Sequence, residues 1–231
     1  LFVITHQTKD LWLKQILHEV GLAKRLIRSG DLVPAYKSLA RVSRIQAVMT
    51  QSWEILSTMT PADYLSFREE LGGSSGFQSD QFRRLEYLLG LKDPTFLRFH
   101  TDRPAAHAAL VEALEQPSLY DDALFQLAQH GLPVPEEVLN RDVTQAYAPS
   151  EGVEAAWLMV YRDTRKYWDL YQLAEKLVDL DDALITWRHK HVLTVERIIG
   201  GKKGTGGTPG VAYLASTLSK RAFPELWTLR T

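Results

Sequence analysis

The feature that most constrains this chain is its period. Apolar residues recur at helical intervals almost throughout, and no stretch alternates as a strand would. From Phe2 to about Ile27 the stripe carries Leu13, Ile16, Leu17, Val20 and Leu26, and Gly30-Asp31 ends it. A second run, from about Val33 to Thr58, carries Leu39, Val42, Ile45, Met49, Trp53 and Leu56. Helices of ~25 residues are each roughly 37 Å long. With so short a connection they pack antiparallel. The expected fold is all-α: a bundle of long antiparallel helices with shorter helices inserted.

Local signals punctuate the rest. Thr60-Pro61-Ala62-Asp63 reads as a helix start, with a capping hydroxyl, a proline suited to the first turn and an acid at the positive end. That helix is expected to run to the loop Gly72-Gly73-Ser74-Ser75-Gly76. Ser79 caps a helix from Asp80 to Leu89, which Gly90 ends. Residues 91–149 hold short helices broken by Pro94, Pro104, Pro117, Pro133 and Pro135, with Ser118 and Gly131 bounding one of them. Ser150 starts a long helix through Trp157 and Trp168, and helix continues or restarts to Ile199. A glycine-rich basic loop, 200–207, follows, and Thr208-Pro209 starts the last helix. The expectation is one domain over 1–231, with 94–149 a candidate excursion from the main bundle.

Composition excludes several classes. The chain has 231 residues, 45% hydrophobic, a net charge of −1 and no cysteine. A near-neutral chain lacks the basic stripe of a nucleic-acid binder. Without cysteine there is no disulfide, iron–sulfur cluster, thiolate-ligated haem or covalent haem attachment, and a reducing, cytoplasmic setting suits such a chain. No apolar run approaches the ~20 residues of a membrane span, and Lys9 and Asp10 interrupt the first apolar stretch before it resembles a signal peptide. The chain begins at Leu1, which suggests a trimmed form of something longer.

Two histidines sit on apolar helical stripes. His191, within Trp187-Arg188-His189-Lys190-His191, shares its stripe with Leu184, Trp187, Val195 and Ile198. His189 lies about 200° round the helix, so the pair cannot grip one metal. A core histidine bonded to a backbone carbonyl is the common state of such a residue. The sharper reading is a single axial ligand to haem iron, which needs only one imidazole. His6, within Phe2-Val3-Ile4-Thr5-His6-Gln7, has Phe2 one turn before it and Asp10 one turn after. It reads either as an ordinary helix-end histidine or as a neutral acceptor for a ligand N–H, with Phe2 as its wall.

Tyr64 and Arg68 are four residues apart. Arg68 either pairs with Asp63, Glu69 or Glu70 at the surface, or uses its fork to bind a carboxylate. The 200–207 loop is either a connector or a lid that orders over a ligand, with Thr205 on it. It is not a phosphate-binding loop, since the motif order and the preceding strand are lacking. His100-Thr101-Asp102 has the spacing of two non-haem iron ligands, but a solvated loop is the better reading of that Pro-rich stretch. The aromatic residues from Trp157 to Tyr171 read as core or subunit contact.

Taken together and in order, these stretches resemble the tryptophan 2,3-dioxygenase family. The likeness is strongest over Phe2 to Lys14, Tyr64 to Leu89 and Trp187 to Thr208. It includes Gly73-Ser74-Ser75-Gly76-Phe77-Gln78-Ser79 and reaches Phe223-Pro224-Glu225-Leu226. The resemblance implies an all-α haem dioxygenase, usually a homotetramer, that inserts both atoms of O₂ across the indole C2–C3 bond of L-tryptophan. The product is N-formyl-L-kynurenine, at the first step of the kynurenine pathway. By match, His191 is the proximal ligand of haem b, ferrous when active. His6 hydrogen-bonds the indole N–H, Phe2 walls the ring, and Arg68 clamps the carboxylate with Tyr64 near it. Thr205 sits on the closing loop, and Ser75 and Gly76 lie along the haem and substrate edge. The family also carries an N-terminal arm ahead of Phe2 that completes a neighbour's pocket, and this sequence lacks it. The competing readings are a haem-binding sensor or carrier without turnover, a helical interaction protein without cofactor, and a related indoleamine dioxygenase.

Overall fold

The computed structural model describes residues 1–73, 75–207 and 209–230. Ser74, Thr208 and the Phe77 side chain, each part of a motif quoted above, lie outside the described residues. Among those described there are eleven α-helices and no strand. The frame is three long helices: α1 (Phe2–Arg28), α2 (Leu32–Leu56) and α9 (Trp168–Ile199). α2 packs against both α1 and α9. Its stripe, Ala35, Leu39, Val42, Ile45 and Met49, is buried against Ile16, Val20 and Ala23 of α1 and Leu173, Leu177 and Leu184 of α9. Each Val, Leu, Ile or Met among them contributes about 1.5–3 kcal/mol by leaving water. Ser38 and Gln46 are buried polar residues of the same helix, and Gln46 Nε2 donates to the Leu180 carbonyl at 3.3 Å.

Shorter helices close the bundle around this frame. They are α3 (Pro61–Leu65), α4 (Asp80–Leu89), α5 (Pro104–Glu115), α6 (Leu119–Gln129), α7 (Glu136–Leu139), α8 (Glu151–Arg162), α10 (Val211–Ser216) and α11 (Glu225–Thr228). The expected caps form. Thr60 and Ser118 each make a reciprocal capping box, with Asp63 and Asp121, and the Ser79 hydroxyl accepts from the Phe82 N–H. Leu119, Tyr120, Leu124 and Leu127 of α6 belong to the main core.

Three expectations are corrected. The helix from Pro61 ends at Leu65, and Arg68–Leu71 resumes only as a 3₁₀ turn. The Ser66 N–H reaches both the Ala62 and Asp63 carbonyls, which tightens the last turn and releases the chain. The long helix expected from Ser150 breaks at Asp163 and restarts at Trp168. His100 is not on a solvated loop: it ends a 3₁₀ helix, is buried, and its Nδ1 accepts from Arg103 at 2.6 Å. No helix among the described residues is long and apolar enough to cross a membrane.

The Phe223-Pro224-Glu225-Leu226 stretch has a structural use. Glu225 is 1% exposed, and its carboxylate accepts from the Tyr120 hydroxyl at 2.8 Å, the Tyr147 hydroxyl at 2.7 Å and the Ser150 N–H at 2.8 Å. Asp181 of α9 accepts from the Ala222 N–H at 3.0 Å and the Trp227 indole at 2.9 Å. Two buried carboxylates therefore fasten the C-terminal segment to the bundle. Glu225→Ala leaves two hydroxyls and an amide without their acceptor, and it should cost about 3 kcal/mol or more in chemical unfolding. A loss of only a few tenths, as at a surface site, would contradict this account.

Candidate functional site

At one end the three long helices splay around a cavity of about 620 Å³, within the usual size range of small-molecule sites. α1 contributes Phe2, His6 and Lys9, α2 contributes Trp53, and α9 contributes Trp187, Arg188 and His191. Tyr64, Ser75, Gly76 and Thr205 line it as well. The sequence-named residues thus meet in one place, from four separated stretches of chain. The exception is Arg68, whose guanidinium is turned to the loop, where Nη2 donates to the Lys203 carbonyl at 2.7 Å. Its carbon centre is 5.7 Å from the Tyr64 ring.

His191 stacks on Trp53 with ring centroids 4.4 Å apart and planes 11° apart, and Trp187 lies 5.1 Å away. It has no hydrogen-bond partner among the described residues. Burial, reinforced by the nearby charges of Lys9 and His6, pushes its pKa down to about 3. The ring is therefore neutral at pH 7, with a nitrogen lone pair uncommitted and part of its surface open to the cavity.

His6 is arranged differently. Its Nδ1 lies 2.8 Å from the Phe2 carbonyl, so that nitrogen carries the proton and donates. Burial lowers its pKa, outweighing the opposing effect of that bond. In the neutral ring Nε2 is then an acceptor, suited to a ligand N–H. Around it stands an aromatic nest: Phe2 lies 4.2 Å from the His6 ring and 5.5 Å from Phe67, and Tyr64 meets Phe67 edge-on at 5.5 Å.

The 200–210 loop lies against the cavity because of its glycines. A Cβ on Gly206 would sit 2.7 Å from the Ser75 Cβ, and one on Gly210 would meet the Lys202 carbonyl at 2.6 Å. A side chain at 206 would force the loop and Ser75 apart, and one at 210 would disturb the loop's own fold.

Sequence reasoning missed several lining groups. Lys9 is 6% exposed, and its Nζ stands 3.0 Å from the centre of the Trp53 ring without a hydrogen bond. Its signal was a lysine on the buried stripe, one turn before Leu13. Glu86 of α4 is shared by Arg83 and by Arg188, the latter at 2.8 Å. Arg188 lies inside the motif read for its histidines.

A family model described as tryptophan 2,3-dioxygenase matches residues 1–231. The chain belongs to the tryptophan 2,3-dioxygenase family. It is 74% identical over 231 residues to the tryptophan 2,3-dioxygenase of Caulobacter vibrioides, covering 100% of this chain and 88% of that one. It is 54% identical to that of Bacillus thuringiensis, covering 83% of the relative, and 53% identical to that of Pseudomonas aeruginosa, covering 80%.

Tryptophan 2,3-dioxygenases are haem-dependent, and the residues present fit that group. A haem needs one neutral imidazole with a free lone pair, and His191 offers it. Among the described residues no cluster of three or more His, Asp or Glu side chains stands ready for a bare metal ion. Buried donors lining the cavity, Lys9 Nζ, Trp53 Nε1 and Trp187 Nε1, lack acceptors, and haem carboxylates are acceptors.

The depressed His191 pKa sets a pH dependence. Its folded value lies below the unfolded 6.5, so its contribution is present above pH 6.5 and is lost as pH falls toward 3. Relative to His191→Leu, the haem-free wild type should lose on the order of 2 kcal/mol between pH 7 and 4.5. Parallel unfolding curves across that range would refute the buried neutral imidazole.

Proposed function

We propose that this chain is a haem-dependent dioxygenase that inserts both atoms of O₂ across the indole C2–C3 bond of L-tryptophan. The product is N-formyl-L-kynurenine, and the reaction opens tryptophan catabolism by the kynurenine pathway. Family membership over the whole chain supports the reaction. The observation that carries the site assignment is the pairing of two neutral histidines on one cavity: His191 with an uncommitted lone pair and His6 with its Nδ1 already occupied.

In this reading His191 holds haem b, with Ser75 and Gly76 along its edge. The haem, when bound, supplies a ferrous centre that takes up O₂. Everything else is orientation. His6 Nε2 accepts the indole N–H and fixes the ring in its plane, and Phe2 and Tyr64 wall the ring. Arg68 exchanges the Lys203 carbonyl for the substrate carboxylate, a stronger, charge-assisted partner. Because Lys203 is two residues from Thr205, the same exchange releases and re-seats the loop, bringing Thr205 to the ammonium and carboxylate and excluding water. Both oxygen atoms end in the product, so no external reductant is consumed and no net proton moves. In this reading His6 serves as a positioning acceptor, since oxygen addition to the indole ring does not require prior removal of the N–H proton.

We further propose that the protein works as a homotetramer in the cytoplasm. Leu11 is 71% exposed, Ile4 68% and Ile55 58%, on α1 and α2, leaving apolar surface for a second copy to cover.

An optical time course tests the reaction. Reduced, haem-loaded protein mixed in air with L-tryptophan should develop the absorption of N-formylkynurenine. Arg68→Ala should raise KM for L-tryptophan about a hundredfold while the haem spectrum stays unchanged. His191→Ala should abolish the Soret band. A full Soret band in that variant would overturn the ligand assignment. An unchanged KM in Arg68→Ala would mean that this arginine serves only the loop.

A further inference from the structure

We propose that Lys9 is the counter-charge for one of the two carboxylates of the bound haem, and so a positioning residue for the cofactor. This rests on the haem reading above.

The first observation is isolation. Lys9 is 6% exposed, and its Nζ has no hydrogen bond and no ion pair among the described residues. Asp10, next in sequence, also borders the cavity, but it is exposed and makes no ion pair with Lys9 among the described residues. Among the described residues, the close neighbour that favours the ammonium is the face of Trp53, at 3.0 Å. A cation–π contact satisfies part of a charge but none of three N–H donors. Burying an ammonium this way is costly unless an acceptor arrives.

The second observation is the company it keeps. The indole nitrogens of Trp53 and Trp187 are also buried donors without acceptors, and both rings flank His191. The wall around His191 is therefore rich in donors and short of acceptors. A ligand that completes it brings acceptors.

The third is charge. Of the charged side chains lining the cavity that are themselves buried, Lys9, Arg83 and Arg188 are positive and only Glu86 is negative. Glu86 is already shared by the two arginines. Asp10, Asp80, Asp102 and Arg103 also line the cavity but are less buried, so it is the buried end, around Lys9, that suits an anionic group. Haem b is an apolar disc whose charged peripheral groups are two carboxylates on flexible two-carbon arms. The other anion in the reaction, the carboxylate of L-tryptophan, has Arg68 and Thr205 on the loop side. Lys9 is bound instead to the Trp53–His191 side, where the cofactor's ligand stands.

The test uses the full chain freed of haem and titrated with ferric haem and, separately, with haem dimethyl ester, whose carboxylates carry no charge. Wild type and Lys9→Met are compared by Soret titration and by the rate of haem transfer to a scavenging apoglobin. Lys9→Met should weaken haem binding about tenfold or more. It should leave the dimethyl ester affinity unchanged. The haem-free variant should melt no lower than wild type, since the amine it removes has no hydrogen-bond acceptor there among the described residues and the methionine side chain keeps the packing on Trp53. Equal losses for haem and ester would reduce Lys9 to packing and overturn the proposal. Unchanged haem affinity with weaker L-tryptophan binding would assign the ammonium to the substrate instead. A wild-type chain that gives no Soret band would overturn the haem reading itself, and this assignment with it.

Discussion

Everything in this structure depends on the stripe of α2. It is the one helix packed between the other two long ones, so its apolar residues set the distance and angle of both neighbours. The same stripe that makes the main core from Ala35 to Met49 continues into Trp53 and Leu56, where it joins a second buried cluster with Tyr64 and Ile198 that borders the cavity. Trp53 carries His191 of α9 on its ring and Lys9 of α1 at its face. The helices that hold the protein together thus deliver the imidazole, the ammonium and the indole to one wall. Nothing loop-borne is needed to place His191, which is why a ligand there can be held to rigid geometry.

The opposite wall is built from weaker material. Tyr64 stands on a five-residue helix, Arg68 on a 3₁₀ turn, and Thr205 on a loop seated by contacts that only glycine allows. An arginine hydrogen bond to the Lys203 carbonyl ties the 3₁₀ turn to the loop. Such a wall opens at low cost, as substrate entry requires, while the cofactor side stays fixed. The division follows from helix length: a long helix buries many turns, a short one borrows its stability from neighbours.

Much of this was legible in the sequence, for physical reasons that differ by element. Thr60, Ser79 and Ser118 announce helix starts because a capping hydroxyl has a fixed offset to the amide it accepts from. The break at Asp163 was not legible, since no glycine or proline marks it and Arg165 and Lys166 are good helix formers. His100 was misplaced because proline density suggests a solvated loop, whereas the 3₁₀ turn it ends is packed. The imidazole positions of His6 and His191 followed from period alone. Their roles did not: period can say that a ring faces inward, not that its nitrogen lacks a partner, and the family resemblance supplied what spacing left open. Lys9 escaped notice because a lysine near a helix start ordinarily carries its charge out to water along an apolar stem. Here Trp53 blocks that route.

The unmet donors around His191 also bear on stability. A folded chain that buries a lysine amine, whose pKa burial lowers to about 7, and two indole N–H groups without hydrogen-bond acceptors among the described residues is less stable than one whose cavity is apolar, by the desolvation those groups suffer. A ligand that satisfies them recovers that free energy on binding, so it binds the folded chain tightly and the unfolded chain hardly at all. Linkage then makes the folded population depend on cofactor supply, at RT ln(1 + [L]/Kd). The same buried donors that make the empty cavity unfavourable are what make it selective: an apolar disc without carboxylates would gain the burial and leave the donors unmet. Tightness for the right ligand and modest stability without it are one property of this wall, seen from two sides.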